Sequence, residues 1–85
     1  MLYSAHLRAA RALLGWRQED LARKADVGLA TLQRIESGDG PVTGNARTIW
    51  KLQATLERAG IGFIIGTPDE PIIGVSRRVT SPIST

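Results

Sequence analysis

The sequence predicts a mainly α-helical fold of four to five short helices, followed by a small C-terminal β-hairpin or strand pair. Before residue 60, apolar residues recur at helical spacing in four stretches, each followed by a glycine or a tight turn. After residue 60, two short β-branched runs surround a turn rich in Pro and Asp. We therefore divide the chain into residues 1–60, a helical domain, and residues 61–85, the strands and tail.

The helices are predicted from the spacing of their apolar residues and from their end signals. The first has Leu7, Ala10 and Leu14 on one stripe, together with Arg11, and ends at Gly15. The second covers residues 18–25 and has acidic residues in its first turn and basic residues near its end. That charge order complements the helix dipole.

Two further helices are predicted after a short turn. The third covers roughly residues 29–37 and stops at Gly38. The fourth covers about residues 46–59 and is closed by Gly60. Its apolar stripe consists of Ile49, Leu52 and Leu56.

The turn between the second and third helices has only three residues, which makes this pair a helix-turn-helix in geometric terms. Asp26 is predicted to take a left-handed conformation, which Asp tolerates better than most residues. Gly28 is predicted to be the N-cap of the third helix. The expected contacts between the two helices are small or apolar: Leu21, Ala22, Ala25, Val27, Leu32 and Ile35.

The two C-terminal runs, Ile61–Ile65 and residues 72–75, are predicted to form the hairpin. An isolated hairpin is marginal in water, so these strands need something to pack on or to pair with. A second copy of the chain is the most economical partner. The residues expected to mediate this dimerisation are Ile61, Phe63, Ile64, Ile65, Ile72, Ile73 and Val75.

Composition excludes several classes of function. The chain has no cysteine, and its single histidine, His6, has no acidic or histidine neighbours. We expect His6 to be solvated or half-buried and not a metal ligand, and Trp16 and Trp50 to be packing residues. Because no Ser/His/Asp set, His/Glu cluster or phosphate-binding glycine loop is present, neither an enzyme nor a cofactor is expected. No apolar run is long enough to cross a bilayer, so we expect a cytoplasmic protein without a membrane partner.

The positive charge is concentrated in the helical part. Residues 1–59 hold nine Lys/Arg and six Asp/Glu, whereas residues 60–85 hold two of each, so the first part carries the whole excess of +3. An excess of this size is compatible with a polyanionic partner, but it is weak evidence by itself.

The stretch WRQEDLARKADVGLATLQRIESG, residues 16–38, resembles the phage repressor/Cro-like (Xre-type) helix-turn-helix family. With its flanking helices the resemblance covers about residues 4–60 and implies a lambda-repressor-like DNA-binding domain. Three positions depart from the family pattern: Arg17, Asp26 and Gly28 stand where Ser/Thr/Asn, Gly and Ser/Thr are commoner. The matching residues are Gln18, Leu21, Ala22, Val27, Thr31, Leu32, Ile35, Glu36 and Gly38.

In a helix-turn-helix, the second helix of the motif enters the major groove of double-stranded DNA. The family resemblance implies that four positions on this helix read bases: Leu29, Ala30, Gln33 and Arg34. Leu29 and Ala30 can touch thymine methyl groups, and Arg34 can pair with guanine O6 and N7. Gln33 can read an adenine or bridge to a neighbouring side chain. The alternative is that Leu29 packs on the fourth helix and Arg34 is only solvated.

Other residues are expected at the DNA backbone. Gln18 matches the family's phosphate-binding glutamine, and Thr31 is expected to act similarly. Asn45 and Arg47 are plausible additions at the start of the fourth helix. Arg17 either contacts a phosphate or is a solvated residue balanced by Glu19 and Asp20.

Arg11 and Glu36 have a different expected role. Arg11 lies on the apolar stripe of the first helix, where a charge needs a partner or must reach solvent. Members of the family pair an Arg and a Glu at these positions. The resemblance therefore implies a structural salt bridge, in which Glu36 is not a catalytic acid.

The expected function is a sequence-specific transcription regulator that binds an operator as a homodimer, most simply as a repressor by occlusion. Activation remains open. The alternative is an antitoxin-type module that binds a partner protein through its apolar strands and also regulates its own operon.

Overall fold

The computed structural model describes residues 2–67, 69–70 and 73–79. It confirms a mainly helical fold with a C-terminal antiparallel hairpin. The elements are α1 Ser4–Leu14, α2 Gln18–Ala25, α3 Leu29–Glu36, α4 Ala46–Arg58, β1 Ile61–Ile65 and β2 Ile73–Arg77. The predicted bounds of α2 are correct, and those of α3 and α4 differ by one residue. The predicted second strand ended too early, and its first residue, Ile72, lies outside the described residues.

The first helix begins three residues earlier than its apolar stripe predicts. Tyr3 occupies the N-cap, and its backbone N–H donates to His6 Nδ1 at 2.9 Å. Tyr is not a standard N-cap residue. The His6 side chain, in the first turn, instead accepts this backbone N–H. Gly15 ends the helix with φ 70°, a left-handed conformation that glycine adopts without strain.

The turn between α2 and α3 has the predicted backbone. Asp26 adopts φ 58° and ψ 51°, and Gly28 takes the N-cap position of α3 with an extended conformation. The Gly28 carbonyl accepts the N–H of Leu32 at 3.0 Å, which starts the hydrogen-bond ladder of α3. Lys51 on α4 donates to the Asp26 carbonyl at 3.3 Å and so holds the turn from outside.

One hydrophobic core joins the four helices and the hairpin. The predicted helix-turn-helix contacts are confirmed: five are buried and Val27 packs partly buried against them. The largest fully buried apolar side chains come from all four helices: Leu7, Leu21, Leu32, Leu52 and Leu56.

The hairpin packs on its own chain. Its register pairs Ile61 with Arg77, Phe63 with Val75 and Ile65 with Ile73. Ile61 is 4% exposed, and Phe63 and Val75 pack partly buried against the same core. These three side chains already have intrachain partners, and their expected role in dimerisation stays a prediction. The large hydrophobic strand residues that remain exposed are Ile64, Ile65 and Ile73.

His6 is at the centre of the contact between α1 and the hairpin, and it is fully buried, contrary to expectation. A backbone N–H can only donate, so Nδ1 is the acceptor from Tyr3, and Nε2 of the neutral ring carries the proton. Nε2 therefore donates to the Ile64 carbonyl at 3.0 Å. The ring also packs edge-on against Phe63, with 5.6 Å between centroids. At the other end of the hairpin, Arg77 donates to the Leu13 carbonyl at 2.9 Å.

The two tryptophans differ. Trp16 packs partly buried against the core, as predicted, with Lys24 Nζ 5.1 Å from its ring centroid. Trp50 is 65% exposed, so the prediction that it packs is wrong. It stands two positions before the buried Leu52, which puts it on the opposite side of a helix with 3.6 residues per turn.

Candidate nucleic-acid interface

The outer side of α3 presents the four residues expected to read bases. Ala30, Gln33 and Arg34 are exposed, and Leu29 is 37% exposed. Leu32 and Ile35 occupy the core from the opposite side. Within the described part of the chain, Arg34 has no carboxylate within ion-pair distance. The helix thus exposes two apolar contacts, one amide and one guanidinium, which are the groups that major-groove readout uses.

The N-terminus of α2 is held by an acidic side chain in its first turn. Asp20 Oδ2 accepts the N–H of Arg17, the N-cap residue, at 2.9 Å. This hydrogen bond lowers the pKa of Asp20, and the guanidinium groups of Arg17 and Arg23 lower it further. The Arg17 side chain is 79% exposed and its Nε lies 3.9 Å from Asp20 Oδ2, so most of the guanidinium faces solvent.

The ion pair that the resemblance implies is present between α1 and the end of α3. Arg11 Nη2 lies 2.6 Å from Glu36 Oε1, and Arg11 Nε donates to Oε2 at 2.8 Å. The Glu36 side chain is 2% exposed. Arg11 also donates to the Trp16 carbonyl at 3.2 Å, so one guanidinium joins α1, the loop before α2 and the end of α3.

Gln18 belongs to the same network. Its Nε2 donates to Glu36 Oε1 at 3.2 Å, and its side chain is half-buried. An amide nitrogen carries two hydrogens, so one remains for an anion. The bond to Glu36 fixes the direction of that second hydrogen. The sequence did not predict this bond.

The remaining phosphate candidates lie at other helix beginnings. Asn45 is the N-cap of α4, and its Oδ1 accepts the N–H groups of Arg47 at 2.8 Å and Thr48 at 3.4 Å. Its carbonyl oxygen thus has a capping role, which leaves its NH₂ group as the one suited to a phosphate. Arg47 is exposed, and Thr31 is half-buried.

Sequence reasoning missed two residues that hold the end of α3. Ser4 Oγ donates to the Ile35 carbonyl at 2.6 Å. Arg8 Nη1 donates to the carbonyls of Glu36 at 2.6 Å and Gly38 at 2.8 Å. Their spacing was the available signal, since Ser4, Arg8 and Arg11 follow one another at intervals of four and three along α1 and so share one stripe.

A comparison with protein families identifies the domain. A family model described as helix-turn-helix matches residues 7–58, more than half of the chain. The chain belongs to this family. The match confirms the phage repressor/Cro-like (Xre-type) resemblance, and this helix-turn-helix protein is accordingly a DNA-binding transcription regulator. Ser4 and the hairpin lie outside the matched residues. No curated protein matches the chain significantly.

The described part of this helix-turn-helix protein also bears on metal and membrane binding. Across residues 2–67, 69–70 and 73–79, no group of three or more His, Cys, Asp or Glu is arranged to hold a metal ion. Nor is any helix in those ranges both long and apolar enough to span a lipid bilayer.

Proposed function

We propose that the protein is a dimeric, sequence-specific repressor that occludes a palindromic operator. The observation that carries this proposal is the outer side of α3, where Leu29, Ala30, Gln33 and Arg34 are exposed together on a helix whose end is held by the Arg11–Glu36 ion pair. A rigid support beneath a reading surface favours specific over non-specific binding, because base contacts require a fixed geometry.

The chemistry of these four side chains supports base reading. Arg34, unpaired in the described part of the chain, suits guanine O6 and N7, a bidentate contact that discriminates by about 1–3 kcal/mol. Leu29 and Ala30 suit thymine methyl groups, and Gln33 suits an adenine edge or a bridge to a neighbour. Backbone contacts are assigned to Arg17, Gln18, Thr31, Asn45 and Arg47. Arg17 and Gln18 lie at the N-terminus of α2, where the helix adds a partial positive charge that favours phosphate.

Dimerisation is proposed through the exposed part of the hairpin. Ile64 and Ile65 are both 47% exposed and Ile73 is 42% exposed. The sheet has two strands, and each described strand has one edge without a strand partner. An exposed apolar strand edge favours pairing with another chain, and a second copy would place two α3 helices on successive major grooves about 34 Å apart. In this proposal the protein acts in the cytoplasm without a catalytic activity or a cofactor.

Selection from random duplex DNA with the purified protein, at two salt concentrations, tests the reading function. We expect a palindromic motif with half-sites about one helical turn apart, retained at the higher salt. Binding that shows no sequence preference and disappears at the higher salt would contradict the proposal, because only the electrostatic contribution would then be present.

Sedimentation velocity tests the dimer. Because Ile61 is part of the core, removing the hairpin would also expose part of that core, so point variants are the sharper tool. We expect Ile73→Lys to be monomeric and Ala12→Lys, a change at an exposed position of α1, to remain dimeric. An Ile73→Lys protein that remains dimeric would contradict this interface.

The same exposed isoleucines support one alternative, an antitoxin-type module whose hairpin adds a strand to the sheet of a partner protein. This alternative predicts a wild-type protein that is monomeric by itself and loses a co-purifying partner on Ile73→Lys.

A further inference from the structure

The C-terminal end of α3 is held by the beginning of α1. The last carbonyls of a helix have no partner within the helix, and most accept from water, from a glycine turn or from a nearby side chain. Here three acceptors, the carbonyls of Ile35, Glu36 and Gly38, receive hydrogen bonds from Ser4 and Arg8 of another helix.

The loop that follows α3 is attached to the same segment. The N–H of Ser4 donates to the Gly40 carbonyl at 3.1 Å, and the N–H of Val42 donates to the Leu2 carbonyl at 2.7 Å. Both the end of α3 and its exit loop therefore depend on residues 2–8. The other end of α3 begins in the three-residue turn, so the tilt of the helix is defined at both ends.

We propose that Ser4 and Arg8 are positioning residues for base reading: their hydrogen bonds to the end of α3 fix the angle at which this helix enters the major groove. The inference rests on the proposed function and deepens it. A helix that pivots about its N-terminal turn moves Gln33 and Arg34 more than Leu29, because they lie farther from the pivot. Loss of the two donors therefore affects the polar base contacts first.

Neither residue needs to touch DNA for this role. Ser4 is 2% exposed and its hydroxyl hydrogen is donated to the Ile35 carbonyl, so it is not available to a phosphate. Arg8 uses Nη1 for both of its carbonyl contacts. A positioning role and a phosphate role differ in what they change. Positioning alters the ratio of specific to non-specific affinity, whereas a lost phosphate contact weakens both affinities and reduces the salt dependence.

The test compares Ser4→Ala and Arg8→Met with the wild type, by fluorescence anisotropy on the duplex selected by the wild type and on a scrambled duplex. Measurements are made at a temperature where circular dichroism shows each variant fully folded. We expect each variant to lower the specificity ratio about tenfold, comparable with the loss of one good base contact, while affinity for the scrambled duplex changes little.

Matched controls separate positioning from general changes. Ser37→Ala removes a similar hydroxyl–carbonyl bond at the end of α3, 2.8 Å to the Arg34 carbonyl, but its donor is not on α1. Arg58→Met removes an exposed charge at the far end of α4. Both controls should keep the wild-type ratio. Unchanged ratios for Ser4→Ala and Arg8→Met, or a uniform loss with a reduced salt slope, would overturn the inference.

A second measurement does not depend on DNA. Amide hydrogen exchange of residues 29–38 in the free protein should speed up in Ser4→Ala and Arg8→Met but not in Arg58→Met. Failure of the proposed function is detected separately, by a wild-type protein that selects no motif. If the wild type selects no motif, the inference is overturned whether or not exchange becomes faster in the variants, because no base reading would exist to be positioned.

Discussion

The helix-turn-helix unit, α2 with α3, and the hairpin, β1 with β2, are attached to the core in different ways. The unit is continuous in sequence, and its turn is formed by Asp26 and Gly28, which belong to it. The hairpin is attached by His6 and Arg77, in hydrogen bonds that join residues 58 and 64 positions apart. Local sequence patterns therefore predict both elements. They predict how the helix-turn-helix unit packs, but not how the hairpin packs.

The largest expected effect comes from breaking the ion pair that joins the unit to α1. Glu36→Ala leaves the guanidinium of Arg11, 19% exposed, without its partner and removes the acceptor of Gln18. We expect the free energy of unfolding to fall by about 3–5 kcal/mol, measured by chemical denaturation. Glu57→Ala, at an exposed position whose carboxylate accepts only from Gln53 among the described residues, is the control and should change stability little. Equal effects of the two changes would contradict this account.

The hairpin attachment is tested by His6→Leu, which keeps similar volume but leaves the Tyr3 N–H without its acceptor and removes the bond from His6 to the Ile64 carbonyl. A buried unsatisfied group costs about 1–3 kcal/mol and a lost hydrogen bond about 1 kcal/mol, and partial solvation reduces both, so we expect a loss of about 2 kcal/mol. Hydrogen exchange should speed up more in residues 61–65 and 73–77 than in α2. Faster exchange in α2 than in the hairpin would show that the two regions are not attached independently.

The turn of the unit gives a smaller effect of opposite sign. Asp26→Gly places a residue without steric strain at φ 58° and removes only a surface contact, 3.7 Å from Asp26 Oδ2 to Lys51 Nζ. We expect stability to rise by about 0.5 kcal/mol in thermal or chemical denaturation. A loss of stability would mean that the Lys51 contact outweighs the relief of backbone strain.

The smallest effect concerns the beginning of α2. Because the pKa of Asp20 is lowered in the folded state, its contribution to stability is present above the ordinary pKa of Asp and is lost as pH falls through the folded value. Asp20→Asn should therefore be slightly less stable than the wild type at pH 7. The two proteins should converge in acid. A difference that persists unchanged to about pH 2 would contradict this cause.

What could be predicted from the sequence depended on the distance between the interacting residues. The bounds of α2, the left-handed Asp26 and the N-cap Gly28 follow from neighbours within a few positions. His6 and Trp50 were wrongly predicted. The burial of His6 depends on a strand 58 positions away, and the exposure of Trp50 depends on which side of α4 meets the core.

The candidate site divides in the same way. The base-reading positions were predicted because they follow the turn at fixed offsets, and Arg11 and Glu36 were paired through the family resemblance. Ser4 and Arg8 were missed because their acceptors are backbone carbonyls about 30 residues away, so their spacing along α1 shows a shared stripe but does not identify what they bind.

The central claim is that the outer side of α3 reads DNA sequence, and selection from random duplex DNA with Arg34→Ala, in parallel with the wild type, tests it most directly. We predict that the variant selects the same palindrome with one symmetric pair of positions relaxed, since one base contact is lost in each half-site. An unchanged motif would contradict the claim, because Arg34 would then contribute nothing to base recognition.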